Sequence, residues 1–178
     1  QAGHASGSDW AAQGNMLASD RAWHEMGAAF EQTTGTLAQR LLAALDAAEA
    51  TGGDWRGRGG AGILVVPSEG DPWERVIDLR VEDGDGSLVE LRRLLERALG
   101  YRKANRAEGD RAGVARAHGL PGTYVELGAI VDAAETGDVD AARALLAELE
   151  RKDARWGDTV RSMSLLPDLA SLRALFEE

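Results

Sequence analysis

The sequence predicts an α+β fold, with helices packed on antiparallel strands over its first hundred residues and helices alone thereafter. Three observations lead there. A short apolar run, GILVV at 62–66, stops at Pro67 and is followed by partial alternation of apolar and charged residues over 75–81, the pattern of two paired strands. Leucines recur at helical spacing over 37–50 and again over 87–106. Beyond about residue 109 the remaining elements all read as helices.

In chain order, residues 8–17 read as an extended segment whose Trp10, Ala12 and Met16 share a face. Ser19 or Asp20 caps a helix to about residue 32, with Trp23, Met26, Gly27 and Phe30 as its apolar stripe. After a break at 33–35, a second helix over 37–50 places Leu37, Leu41, Leu45 and Ala48 for burial, and Gly52-Gly53 stops it. A Gly- and Arg-rich loop, 52–60, leads to the two strands, which a turn at 68–72 joins into a hairpin, and residues 82–86 are a loop. SLVE at 87–90 matches a capping box and opens a helix to about residue 106. Residues 108–122, with several glycines and Pro121, read as a linker or an irregular short helix. TYVE at 123–126 matches a second capping box, with a helix to Glu135. Gly137-Asp138 turns the chain into a helix over 139–152, Asp153 caps another to Met163, and Pro167-Asp168 opens a last one to Glu178. The domains expected are 1–107, mixed, and 123–178, helical, joined by 108–122.

Composition excludes several functions. The 178 residues carry a net charge of −10 and no cysteine, so disulfide scaffolds, thiolate metal sites and cysteine nucleophiles are ruled out. No apolar run approaches the ~20 residues of a membrane span and no signal pattern opens the chain, so a cytoplasmic location and no membrane partner are expected. Net acidity argues against general nucleic-acid binding. The segment 92–116 is locally basic, yet it has one aromatic, Tyr101, and no recognition motif. A solvated helix face, docked on an acidic neighbour, is favoured. His4, His24 and His118 have no ligand spacing, so neither a metal nor another cofactor is expected.

The candidate site combines Gln13 and Asn15, which flank Gly14, with Asp54, Arg56 and Arg58. Carboxamides at the end of an extended segment can donate to a developing oxyanion. Arginines and an aspartate among glycines can clamp a carboxylate or orient a loop. Each cluster also has a plainer reading, as a close backbone approach at Gly14 and a surface pair at Asp54 and Arg56. GRGGAG at 57–62 precedes a strand instead of a helix, which makes a phosphate cradle a weak reading.

Taken together, WAAQGNMLAS with AAFE, LAQRLLAALDAAEATGGDWRGR, ILVV, DLRVEDGDG and LVELRRLL resemble the family named domain of unknown function 1028, over about residues 1–100. The resemblance implies a four-layer αββα sandwich of the N-terminal-nucleophile hydrolase superfamily, present here in part and followed by a helical extension. It implies amide-bond hydrolysis by an N-terminal Thr, Ser or Cys. Gln1 is none of these, so the chain is read as the C-terminal part of such a protein. It is not expected to be active alone, and its catalytic residues are unknown. The departures are Gly59-Gly60 where members have Gln-Ser and DGDG at 83–86 where many have Asp-His-Pro. Expected partners are a missing N-terminal half or a second copy covering the open sheet. The segment AAETGDVDAARALLAELERKDARW resembles a single tetratricopeptide-like helix pair. One pair makes no peptide groove, so a hairpin packed on the main domain is favoured over a non-catalytic interaction module.

Overall fold

A computed structural model describes residues 1–82 and 84–177. Asp83, in the expected 82–86 loop and DGDG run, and Glu178, the expected end of the last helix, lie outside the described residues. The chain divides into two units, Gln1–Glu96 and Arg97–Glu178.

The first unit is α+β, as its sequence pattern predicts. Strands β1 (Gly3–Ser6) and β2 (Ala11–Gly14) pair antiparallel, with His4 opposite Gln13. The sequence pattern missed β1, because GHAS carries no β-branched residue and becomes a strand only by pairing with β2. Helices α1 (Ala22–Gln32) and α2 (Leu37–Ala50) pack on each other, and both β1 and β2 lie on α1. Two tryptophans dock the hairpin. The Trp10 ring lies on Gly27, where an added Cβ would sit 2.0 Å from it, and the Trp23 ring lies under Gly3. Trp10 also donates its indole N–H to Glu31 at 2.7 Å.

Helix α2 starts with a capping box that the sequence reading missed. The Thr36 hydroxyl accepts from the Gln39 amide, and the Gln39 side chain accepts from the Thr36 amide. It ends as expected, with Gly52 at φ 113° and Gly53 at φ 63°. Its buried residues are Ala38, Leu42 and Ala44. The expected stripe is offset, since Leu37 is 47% exposed and Leu41 and Leu45 are only half-buried. Strands β3 (Ala61–Val65) and β4 (Ile77–Val81) form the expected hairpin, with Ile63 opposite Leu79. Ile63, Val65 and Ile77 are buried. Among the described residues the strands make two separate two-stranded sheets, β1-β2 and β3-β4.

Helix α3 (Ser87–Asn105) begins at Ser87 itself, and the Glu90 carboxylate bonds Arg93 instead of completing a capping box. The second unit consists of helices. The segment 108–122 holds α4 (Arg111–Ala117), which packs on α5 (Gly122–Glu135). Asp132 of α5 accepts from the amides of Arg111 and Ala112, both at 3.0 Å, and so caps α4 from a neighbouring helix. The second expected box also fails to form: α5 starts at Gly122 and Glu126 pairs with Lys152 at 2.5 Å. Gly137 turns at φ 82°, as read, and Asp138 also caps α6 (Val139–Lys152). Helix α7 (Arg155–Met163) and a 3₁₀ segment, Pro167–Leu175, kinked at Leu169, close the unit. Its core joins Ile130, Val131, Leu146, Leu149, Val160 and Leu172.

Candidate functional site

The arginine loop leaves α2 through Gly52-Gly53 and is stitched to the segment after β2. Trp55 N–H donates to the Met16 carbonyl at 3.0 Å, and Ala18 N–H to the Gly53 carbonyl at 2.9 Å. Leu17 and Asp54 thereby form an antiparallel bridge. Met16 adopts a left-handed φ of 55°, and Leu17 exchanges backbone bonds with Gln1 at 2.7 and 3.0 Å. The two sequence clusters therefore come from adjoining segments.

They do not all line one cleft. Asp54, Arg56 and Arg58 line a cleft of about 770 Å³, together with Glu49, the glycine-rich run 57–62, Asp85 and Ser87. Gln13, on β2, and Asn15, just after it, are exposed and lie outside that lining.

Within the cleft each candidate arginine already has a carboxylate. Arg56 grips Asp54 fork to fork, with Nε at 2.9 Å and a terminal nitrogen at 2.5 Å, and its backbone amide adds a third bond at 2.9 Å. Those bonds from the Arg56 side chain and backbone hold the Asp54 carboxyl at about 2, well below its usual 3.8. Arg58 binds Glu49 of α2 through a short charged hydrogen bond. Beside the cleft, Arg92 of α3 bonds Asp46 of α2 at 2.5 Å. Glu49, Asp46 and Arg92 were not legible as site residues, because their partners lie 9 to 46 positions away.

The glycine run supplies the remaining chemistry. Gly57 turns at φ 108°, and a Cβ added at Gly57 or Gly59 would meet no atom within 4 Å. The Gly59 carbonyl accepts from Gly84 at 2.8 Å, while the amides of Gly59 and Gly60 have no acceptor among the described residues. An exposed amide with no acceptor, as at Gly59, is a donor for an oxyanion or a carboxylate. Ser87, 4% exposed, is the one hydroxyl side chain among the lining residues, and none of the three histidines is among them. The cleft thus holds donors and paired charges but no nucleophile–base pair among the described residues.

In the basic segment Arg92 pairs with Asp46 of α2 and Arg111 with Glu135 of α5, as a helix face docked on an acidic neighbour predicts, whereas Arg93 pairs with Glu90 of its own helix. Arg111 is the most buried of these, against Asp132 and Glu135. Burial opposes its charge, but the two carboxylates prevail and its pKa is raised. Among the described residues no group of three or more His, Asp or Glu is placed to hold a metal ion. Among the described residues no helix is long and apolar enough to cross a membrane.

Comparison with known proteins bears on the first unit. No curated protein and no solved structure matches the chain. Residues 1–91 match the family described as "Family of unknown function (DUF1028)", a stretch that contains both hairpins, the arginine loop and the start of α3. The chain belongs to the DUF1028 family.

Proposed function

We infer that residues 1–96 form the substrate-holding part of an amide-bond hydrolase of the N-terminal-nucleophile type, acting in the cytoplasm without a metal. The observation that supports this reading is a cleft lined by the glycine run 57–62 and by the Asp54–Arg56 and Glu49–Arg58 pairs, in which the Gly59 amide has no acceptor among the described residues. In such a reaction a hydroxyl or thiol adds to the amide carbon and gives its proton to its own α-amine. The carbonyl oxygen gains negative charge, the C–N bond breaks as the amine leaves with that proton, and water then cleaves the acyl–nucleophile bond to give the acid and restore the hydroxyl or thiol. The loop amides supply hydrogen bonds to the oxyanion or to a substrate carboxylate, and a DUF1028 segment other than these residues supplies the nucleophile. The test is co-expression of the chain with a DUF1028 polypeptide that begins with Thr, Ser or Cys. Hydrolysis of an acyl-amide panel by the pair, weakened by Gly59→Val, is the expected result. A folded pair that cleaves no member of the panel defeats the reading.

A second reading has its own support in the helical unit. Leu127 and Val131 of α5, Met163 of α7 and Leu166 and Leu169 line a mostly apolar groove of about 450 Å³, next to Leu165, which is 74% exposed. In this reading the tetratricopeptide-like tail is a non-catalytic interaction module. Pull-downs with Leu165→Lys and Leu166→Lys on the full chain lose a partner if it holds, and unchanged partners refute it.

A further inference from the structure

The helical unit carries two adjoining pockets of different character. One, of about 450 Å³, is lined mainly by apolar side chains, among them Leu127, Val131, Leu166 and Leu169. The other, of about 860 Å³, is polar, and Arg106, Glu108 and Glu135 are among its lining residues. Asn105, Arg111 and Asp168 line both, so the two are halves of one groove. Gly128 permits this arrangement. A Cβ there would lie 3.0 Å from the Ala112 amide nitrogen, so the start of α4 lies directly on α5. Leu166 is itself 53% exposed, and its chain neighbour Leu165, outside the lining, is 74% exposed. Adjacent large apolar side chains left in water mark an interaction surface wider than a small molecule covers.

The polar half selects the sign of the partner's charge. Arg111 is held by both Asp132 and Glu135, a set with one carboxylate in excess. Glu108 and Asp168 are exposed and have no ion pair among the described residues, against one unpaired cation in the lining, Arg106. A cation brought to Asp168 therefore gains attraction without displacing an existing pair, whereas an anion meets excess like charge on a chain of net charge −10. The same acidity disfavours an anionic membrane or a nucleic acid. Asn105, common to both halves, adds a neutral contact. Its carboxamide oxygen accepts from the Tyr124 hydroxyl, while its NH₂ group has no acceptor among the described residues. A free amide donor at the junction of an apolar and an acidic half suits the carbonyl of a peptide bond.

We propose that this groove binds a linear peptide segment of a partner protein in which a large apolar side chain lies a few residues from a lysine or arginine. The apolar side chain enters among Leu127, Val131, Leu166 and Leu169, the cation goes to Asp168 and Glu108, and Asn105 donates to a carbonyl between them. Met163, unbranched and also in the lining, adapts the apolar half to side chains of different shape. The proposal rests on the interaction-module reading and adds to it the chemistry of the partner. It is independent of hydrolysis.

The test adds end-blocked hexapeptides to the full chain and follows backbone amide NMR signals. Each peptide holds one Leu and one Lys in a Gly-Ser background, and the set varies the spacing between them. Members of the right spacing shift Asn105, Val131 and Leu169. Replacing their Lys by Glu lowers affinity about tenfold, and added salt weakens the Leu–Lys members. The double variant Glu108→Lys, Asp168→Lys, changed at exposed positions only, reverses the preference to the Leu–Glu members, and Leu166→Lys removes binding of both. Equal binding of Leu–Lys and Leu–Glu peptides, both lost with Leu166→Lys, overturns the proposal and leaves the interaction-module reading standing. Equal binding of n-hexylamine overturns it in favour of a small amphiphile, and the same shifts on raising protein concentration alone overturn it in favour of a second copy. A set in which no peptide shifts a signal overturns it outright. The pull-downs with Leu165→Lys and Leu166→Lys then decide separately whether the interaction-module reading falls with it.

Discussion

The two units solve the same burial problem with opposite results. In the helical unit Leu146, Leu149 and Leu172 are 6%, 1% and 0% exposed, and α5, α6, α7 and the 3₁₀ segment all contribute to one apolar cluster. In the mixed unit the β1–β2 hairpin is tied down by two tryptophans, while a leucine stripe of the same spacing lines an apolar trough with residues of β2 and β3 and leaves Leu37 47% exposed. Helices satisfy their backbone bonds internally and need only cover a stripe, whereas a two-stranded sheet always keeps two unpaired edges. The family match falls on the unit with the open edges. The contrast teaches that a regular apolar pattern announces a contact without saying which polypeptide provides it.

Two leucine truncations put numbers on that contrast. Leu172→Ala empties a fully buried site and should cost about 3 kcal/mol, seen as a lower urea midpoint. Leu37→Ala, on the same stripe, should cost no more than about 1 kcal/mol, because its side chain is 47% exposed. Equal losses would mean that the stripe is as covered as the helical core and would remove the contrast. Next in size is Gly27→Ala. Its Cβ collides with the Trp10 ring, and the ring cannot move without releasing Glu31. A loss of about 2 kcal/mol is expected, with a shift in tryptophan fluorescence. In the helical unit, Asp132→Asn weakens the cap on α4 and leaves Arg111 with only Glu135. The expected loss is about 1–2 kcal/mol, with faster amide exchange at Arg111 and Ala112.

What the sequence discloses follows the range of the interactions involved. Helix α2, the β3–β4 hairpin and α6 were readable because period, stop glycines and caps lie within a few residues of one another. Strand β1 was not, since its pairing partner rather than its residues makes it a strand. The boxes at SLVE and TYVE have the right letters, but Glu90 and Glu126 find stronger partners in Arg93 and Lys152. Helix α4 hides in a glycine-rich stretch because its cap, Asp132, comes from α5. The same limit governs the site. Asp54, Arg56 and Arg58 were placed together by local spacing, but Glu49, which holds Arg58, was not legible. Gln13 and Asn15 looked like side-chain donors, and their exposed positions outside the cleft could be found only in three dimensions.

The smallest expected effect comes from a motif that both units share. Asp54-Trp55-Arg56 and Asp153-Ala154-Arg155 close the same turn. In each, the arginine's side chain and backbone amide bond the aspartate two positions earlier, and each carboxyl is lowered to about 2. A folded value below the ordinary 3.8 means that folding favours the ionised form. Any stability it contributes is complete above about pH 4, shrinks as pH falls towards 2, and is gone below that. Because both pairs lie in solvent, the global loss should be slight, and carboxyl-carbon NMR titration is the measurement that resolves it. Midpoints near 2 are expected at both sites, and a midpoint near 3.8 at either would separate the two turns. Hydrogen bonding from arginine is the leading cause in both, ahead of through-space charge, so added salt should leave the midpoints in place. A rise with salt at Asp54 alone would show that the arginine loop is held by charge where the helical turn is held by geometry.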